Sequence, residues 1–77
     1  MLGIIGAMDQ EVAEIKNQMT DVTVERAAAM DFYRGKLKGK DVVVVRSGIG
    51  KVNAAVCTQI LVDRYGVDAV VNTGIAG

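Results

Sequence analysis

The chain has 77 residues, 51% of them hydrophobic, with nine acidic and nine basic side chains. This balance predicts a soluble globular protein, and it gives no net charge to attract nucleic acid or an anionic membrane surface. The absence of histidine and the single cysteine, Cys57, exclude an intramolecular disulfide and the usual zinc ligands. No apolar run reaches the roughly 20 residues that span a bilayer, and the first residues lack a signal peptide's charged region, so we expect a cytoplasmic protein.

The first predicted unit is a strand followed by a helix. Leu2 to Ala7 form a continuous apolar run, which is typical of a central parallel strand. Apolar residues then recur on one face of a helix that should end near residues 19–21: Met8, Val12, Ile15 and Met19. Glu11 falls in the first turn of this helix, where the helix dipole favours an ionised acid.

The middle of the chain predicts antiparallel strands. Residues 22–24 begin one strand, residues 32–37 alternate as a second, and Lys38-Gly39-Lys40 is typical of a hairpin turn. The four valines 42–45 then predict a central strand. The basic residues at 34, 36, 38 and 40 alternate with other types, which indicates the polar face of a strand and not a nucleic-acid-binding patch.

A second strand–helix unit follows, and then a further strand. After Ser47-Gly48-Ile49-Gly50, helical spacing predicts a buried stripe of Val52, Val56 and Ile60, filled in by Ala55 and Leu61. Cys57 is expected to be a small core residue. Gly66 should end the helix in the left-handed conformation, and Val67 to Asn72 should form the last strand.

The order of these elements predicts an α/β fold in which a sheet with an antiparallel insertion is flanked by helices. Three of the strands are expected to be buried on both faces. A chain of this length is marginal as an independent domain, so we interpret it as part of a larger one.

The two glycine turns do not match the nucleotide-binding motifs. A Walker A loop needs glycine at residue 45 and a hydroxyl at residue 52, and both positions hold valine. The dinucleotide fingerprint needs a third glycine where Asn53 stands. Two interpretations stay open: the turns either present backbone N–H groups to a polar ligand or simply connect strand to helix. Glu11 likewise either complements the helix dipole or orients and deprotonates a water molecule.

Three segments together carry a family resemblance. The chain resembles the bacterial 5′-methylthioadenosine/S-adenosylhomocysteine nucleosidases in these three segments. They are Gly-Ile-Ile-Gly-Ala-Met at residues 3–8 with Glu11-Val12, Ser-Gly-Ile-Gly-Lys-Val at 47–52, and Asn-Thr-Gly-Ile-Ala-Gly at 72–77. The resemblance implies the phosphorylase/nucleosidase α/β fold, a mixed central sheet flanked by helices, with residues 1–77 as the N-terminal portion of a single domain that is incomplete in this chain. It also implies a homodimer and a small-molecule nucleoside substrate, with no metal or organic cofactor.

The same resemblance implies hydrolysis of the N-glycosidic bond and release of adenine. Glu11 would activate the attacking water, while Met8 and Ile49 would line the apolar pocket near the ribose and the 5′-alkylthio group. Ser47 and Gly48 are expected to be substrate-binding as well. Ile75, also assigned to the substrate site, replaces a family serine, so the hydroxyl contact to ribose or water would have to come from backbone groups or another water.

The resemblance also locates other functional groups outside residues 1–77. The family's general-acid aspartate, adenine-stacking aromatic residue and ribose-binding glutamate belong to its C-terminal part. We therefore expect the 77-residue piece alone to have no measurable nucleosidase activity.

Two alternatives stay open. One is a related purine nucleoside phosphorylase that uses phosphate in place of water, for which Arg46 is the candidate anion-binding residue. The other is a non-catalytic nucleoside-binding fragment.

Overall fold

A computed structural model describes residues 1–6, 9–27, 30–46 and 51–72. The described elements are, in chain order, β1 (Leu2–Gly6), α1 (Asp9–Gln18), β2 (Met19–Ala27), β3 (Met30–Leu37), β4 (Lys40–Arg46), α2 (Lys51–Tyr65) and β5 (Ala69–Asn72). The strands form one sheet in the order β2-β3-β4-β1-β5. Strand β1 runs parallel to β4 and β5, whereas β2, β3 and β4 pair antiparallel. The predicted mixed sheet with an antiparallel insertion is confirmed.

Strands β1 and β4 are buried on both faces, as their apolar runs predict. Alternate residues face opposite helices, because side chains in a strand alternate between the two sides of a sheet. Ile5, Val43 and Val45 pack in one core cluster with residues of α2. The second cluster lies on the other face and combines Ile4, Val42 and Val44 with Val12 and Met19.

Strand β5 departs from the expectation of burial on both faces. It begins at Ala69, two residues later than predicted, and three of its four residues are exposed, with Val71 at 45%. The reason is its position: β5 is an outer strand that pairs with β1 alone among the described residues.

Helix α1 is short and ends at Gln18, one residue before the predicted range. Met19 is buried as expected, but it is the first residue of β2 and pairs with Leu37 of β3. In α1 itself, Val12 is buried at 5% exposure and Ile15 is partly buried. The helix therefore rests on the sheet mainly through Val12.

Helix α2 presents a face to the sheet that matches the predicted stripe only in part. Leu61 is buried and Ile60 is partly buried, as predicted, whereas the side chain of Val52 lies outside the described part of the structure. Cys57 and Leu61 are fully buried, whereas Val56 is 37% exposed and Ala55 is also exposed. Gly3 accommodates Leu61: a Cβ atom on Gly3 would lie 2.9 Å from Leu61 Cδ1, so the missing side chain gives Leu61 room against β1. The prediction of Cys57 as a core residue is confirmed, and the prediction of a buried Val56 is wrong.

The end of α2 matches the prediction. Gly66 has a φ of 62°, in the left-handed region that favours glycine. The Gly66 N–H donates to the Val62 carbonyl at 3.1 Å, and the Val67 N–H donates to the Leu61 carbonyl at 3.3 Å. The bond from Gly66 to Val62 is that of the αL motif, and both bonds satisfy carbonyl groups at the end of the helix.

The predicted hairpin turn is also confirmed. Lys38 and Gly39 connect β3 to β4 with φ angles of 52° and 81°, and Leu37 pairs with Lys40 across the turn. Positive φ at both central residues is the type I′ geometry that matches the twist of paired strands. Between β2 and β3, Ala28 and Ala29 lie outside the described residues.

Candidate functional site

The carboxyl ends of the three parallel strands meet at one edge of the sheet. Gly6, the last residue of β1, pairs with Arg46, the last residue of β4. Asn72, the last residue of β5, pairs with Ile5 on the other side of β1. The three segments that carry the family resemblance therefore leave the sheet from neighbouring positions. In open α/β sheets this edge is where ligands bind.

Glu11 reaches this edge on the first turn of α1. Helix α1 begins at Asp9, three residues after β1 ends, so the fold places Glu11 just beyond the carboxyl end of a central strand. The residue is half-buried, and its carboxylate oxygen Oε1 is inaccessible to solvent and has no hydrogen-bond partner among the described residues. A buried carboxylate oxygen without a partner is costly, so the position favours occupation by a hydrogen-bond donor.

The other predicted site residues lie outside the described residues. These are Met8 in the first connection, Ser47, Gly48 and Ile49 in the second, and Ile75 after β5. The strand ends that precede them are adjacent, as the register of β1 with β4 and β5 shows.

Arg46 is the described cation nearest to the start of the second connection. It is exposed at the end of β4, beside Gly6. Both interpretations from the sequence, an anion-binding group and a charged strand end, are compatible with this placement.

Cys57 is built as a core residue. Its thiol is fully buried and donates to Met30 Sδ at 3.2 Å. Burial raises the pKa of Cys57. A thiolate is the nucleophilic form of cysteine, so this environment works against a catalytic role.

Two side-chain contacts had no signal in the sequence, because their partners are distant along the chain. On one face of the sheet, Lys16 Nζ of α1 lies 4.8 Å from the ring centroid of Tyr33 on β3. On the other face, the Tyr65 hydroxyl at the end of α2 donates to Glu25 Oε1 of β2 at 2.8 Å. Burial, together with this hydrogen bond, raises the pKa of Tyr65 to about 12.

The part of the chain that the structure describes contains neither a candidate metal-binding cluster nor a candidate membrane-spanning helix. No cluster of three or more cysteine, aspartate or glutamate side chains is arranged there to hold a metal ion. No described helix has both the length and the apolar character needed to cross a bilayer.

The fold and the strand-end site define an α/β protein whose sheet has its candidate ligand site at the carboxyl edge, and comparison with known proteins identifies its family. The family model of the phosphorylase superfamily matches residues 1–77. The chain belongs to the phosphorylase superfamily.

Individual relatives agree with the resemblance seen in the sequence. The chain is 51% identical over 76 residues to the 5′-methylthioadenosine/S-adenosylhomocysteine nucleosidase of Aeromonas salmonicida, covering 99% of this chain and 33% of the relative. It thus spans about a third of the length of the curated relatives it matches.

Solved structures of such nucleosidases share the fold. The enzyme of Colwellia psychrerythraea, in complex with adenine, superposes with a TM-score of 0.93 at 56% identity, over 99% of this chain and 31% of that one. The enzyme of Neisseria meningitidis, in complex with methylthio-immucillin-A, gives a TM-score of 0.92 at 42% identity, over 99% and 33% of the two chains. The predicted resemblance and fold class are confirmed.

Proposed function

We propose that residues 1–77 are the N-terminal portion of a single nucleosidase domain that hydrolyses the N-glycosidic bond of 5′-methylthioadenosine and S-adenosylhomocysteine and releases adenine. The observation that carries the proposal is the buried Oε1 of Glu11 near the carboxyl edge of the sheet, which has no hydrogen-bond partner within the described part of the chain. Similarity to nucleosidases, one of them in complex with adenine, supports the substrate class.

In this mechanism Glu11 holds and deprotonates the attacking water. A water molecule beside Oε1 would donate the hydrogen bond that this oxygen lacks from described residues. As water attacks the anomeric carbon, the carboxylate accepts its proton. The sugar–nitrogen bond breaks with its electron pair leaving on adenine, which takes a proton from the general-acid aspartate that the resemblance assigns outside residues 1–77. The negative charge also stabilises the oxocarbenium character that develops on the sugar. Neither a metal nor an organic cofactor takes part in these steps.

The remaining predicted residues complete the site in this proposal. Met8 and Ile49 line the apolar pocket for the 5′-alkylthio group, and Ser47, Gly48 and Ile75 contact the nucleoside. The segments that hold them begin where β1, β4 and β5 end side by side. The protein acts in the cytoplasm as a homodimer.

The buried Glu11 carboxylate oxygen, without a partner among residues 1–6, 9–27, 30–46 and 51–72, favours water over phosphate as the attacking group. A phosphate anion close to Glu11 would meet like-charge repulsion and would offer few protons to bond with Oε1. The phosphorylase alternative relies on Arg46, which is exposed at its strand end. We use full-length protein for the complete protein that contains this chain. Its release of adenine should therefore not depend on added phosphate. A strict phosphate requirement would favour the phosphorylase.

The central test replaces Glu11 with glutamine in the full-length protein. The amide keeps the shape of the side chain but cannot accept the proton, so kcat for adenine release should fall by about 100-fold or more while much of the substrate binding is retained. Glu14→Gln is the matched control, because Glu14 is an exposed acid on the same helix and should give the wild-type rate. If Glu11→Gln retains the wild-type kcat, the proposed mechanism is wrong.

A second measurement tests the role of the remaining domain. The purified 77-residue chain should release no detectable adenine from methylthioadenosine, because the general acid and adenine-binding groups implied by the resemblance lie outside it. Binding of a nucleoside analogue by the full-length protein without any turnover would instead support the non-catalytic alternative.

A further inference from the structure

The contact between Lys16 and Tyr33 lies on the same short helix–sheet interface as Glu11. Lys16 Nζ is 4.8 Å from the centroid of the Tyr33 ring, within the range of a cation–π interaction. Both side chains are partly buried, and Tyr33 also packs against the core cluster that contains Val12. Partial removal from water strengthens such a contact compared with a fully exposed one.

Helix α1 is short and has few core contacts of its own among the described residues. It has ten residues, and an isolated helix of fewer than about 12 is marginal in water. Its own core contacts are the buried Val12 and the partly buried Ile15. Lys16 follows Val12 by four residues, so the two contacts lie one turn apart on one side of the helix. Two contacts one turn apart can restrain both the tilt and the rotation of a helix against a sheet.

The rotation of α1 determines where the Glu11 carboxylate lies. Glu11 directly precedes Val12, and along the helix axis it is about 7.5 Å from Lys16, since each residue advances the helix by about 1.5 Å. A helix that rolls or tilts about Val12 would move Oε1 out of its buried position. Small displacements of a reacting group can cost a large part of the rate.

We propose that Lys16 and Tyr33 are positioning residues, whose cation–π contact holds α1 in the orientation that places the Glu11 carboxylate against the attacking water. This inference rests on the proposed function. It adds a requirement that the proposed function does not contain: a cation at residue 16 and an aromatic ring at residue 33.

The test measures steady-state adenine release by the full-length protein. Lys16→Met keeps the aliphatic stem and removes the charge, and it should lower kcat by about fivefold or more while KM stays within about twofold. Lys16→Arg should keep the wild-type kcat, because a guanidinium group also stacks on aromatic rings. Tyr33→Leu should match Lys16→Met, and Tyr33→Phe should match the wild type.

Two combinations separate positioning from a general structural effect. The double variant Lys16→Met/Tyr33→Leu should have about the same kcat as either single variant, since both remove one contact. In the Glu11→Gln background, Lys16→Met should cause no further loss of the residual rate, because there is no proton acceptor left to position. Lys36→Met, at an exposed lysine of β3, is the control and should behave as the wild type.

Some results would overturn the inference without touching the proposed function. One is a wild-type kcat for Lys16→Met alongside a strong loss for Glu11→Gln; another is an equal loss from Lys16→Met in both backgrounds. If Lys16→Met does not yield folded protein, Lys16→Gln gives the same test. A wild-type kcat for Glu11→Gln would instead defeat the proposed function, and this inference with it.

Discussion

Helices α1 and α2 cover opposite faces of the same sheet, but they are held by very different contacts. Helix α2 has 15 residues and buries Cys57 and Leu61 completely, and its last residue stacks on Phe32 at 5.7 Å between ring centroids. Helix α1 has ten residues and rests on Val12, with help from partly buried neighbours. Among the described residues, the helix that carries Glu11 therefore has fewer fully buried side chains than α2. Under the proposed function, the geometry of Glu11 depends on a small number of contacts.

The largest effect on stability is expected from α2, whose buried side chains are fully inaccessible to solvent. Leu61→Ala removes a fully buried side chain between α2 and β1, so the full-length protein should lose about 2–5 kcal/mol of unfolding free energy. Urea denaturation would measure this loss, with Val62→Ala at an exposed position of the same helix as the control. A loss below about 1 kcal/mol would contradict the described packing of α2.

On the other face of the sheet, Val12→Ala should lower the free energy of unfolding less than Leu61→Ala does, but it should lower kcat more. Two methyl groups are removed from a buried site, for which we expect a loss of about 2 kcal/mol. Because Val12 adjoins Glu11, kcat for adenine release should fall further than in Leu61→Ala when both variants are assayed in the folded state. Equal kcat values for the two variants would show that the difference between the helices does not matter for the site.

The end of α2 gives a smaller effect that involves no packing at all. Gly66 has a φ of 62°, and nothing lies within 4 Å of the position that a Cβ atom would take. Gly66→Ala should therefore cost about 1 kcal/mol from backbone conformation alone. Gly66→Asn should cost less, because asparagine tolerates this conformation, and urea denaturation of both variants would compare them.

The smallest effect concerns Tyr65 and depends on pH. Its pKa is raised from 10.0 to about 12 by burial first and by the hydrogen bond to Glu25 second. The stabilisation is therefore fully present below pH 10 and is lost as pH rises toward 12. Since Tyr65 is partly exposed, we expect Tyr65→Phe to cost at most about 1 kcal/mol at neutral pH. The difference between wild type and variant should shrink between pH 10 and 12, as followed by thermal melting. A constant difference would contradict the hydrogen bond.

The sequence predicted the central strands and their connections because those features are local. Continuous apolar runs identify β1 and β4, and a glycine in the turn identifies the hairpin. The position of Glu11 at the carboxyl edge of the sheet follows from a strand–turn–helix pattern in the same way. The roles of Met8, Ile49 and Ile75 stay predictions, since these residues lie outside the described part of the chain.

The features that the sequence did not predict depend on tertiary packing. Helix α2 has apolar residues on several sides, so spacing alone could not show that Val56 is exposed beside the correctly predicted Cys57 and Leu61. The packing of Leu61 depends on the space above Gly3, which belongs to a different element, β1. The contact of Lys16 with Tyr33 likewise requires β3 to lie beside β4 under α1, which no local pattern encodes.

The β-bulge in β2 makes the two borders of the sheet unequal in their ability to pair with a further strand. Between Thr20 and Thr23, two residues of β2 stand opposite Gly35 of β3, and Asp21 adopts a φ of 55°. A Cβ atom on Gly35 would lie 2.8 Å from the Thr20 carbonyl oxygen, so the glycine permits this bulge. A bulged, charged border resists the addition of another strand, whereas β5 on the opposite border is regular and uncharged. Any strand that extends this sheet should therefore join it beside β5.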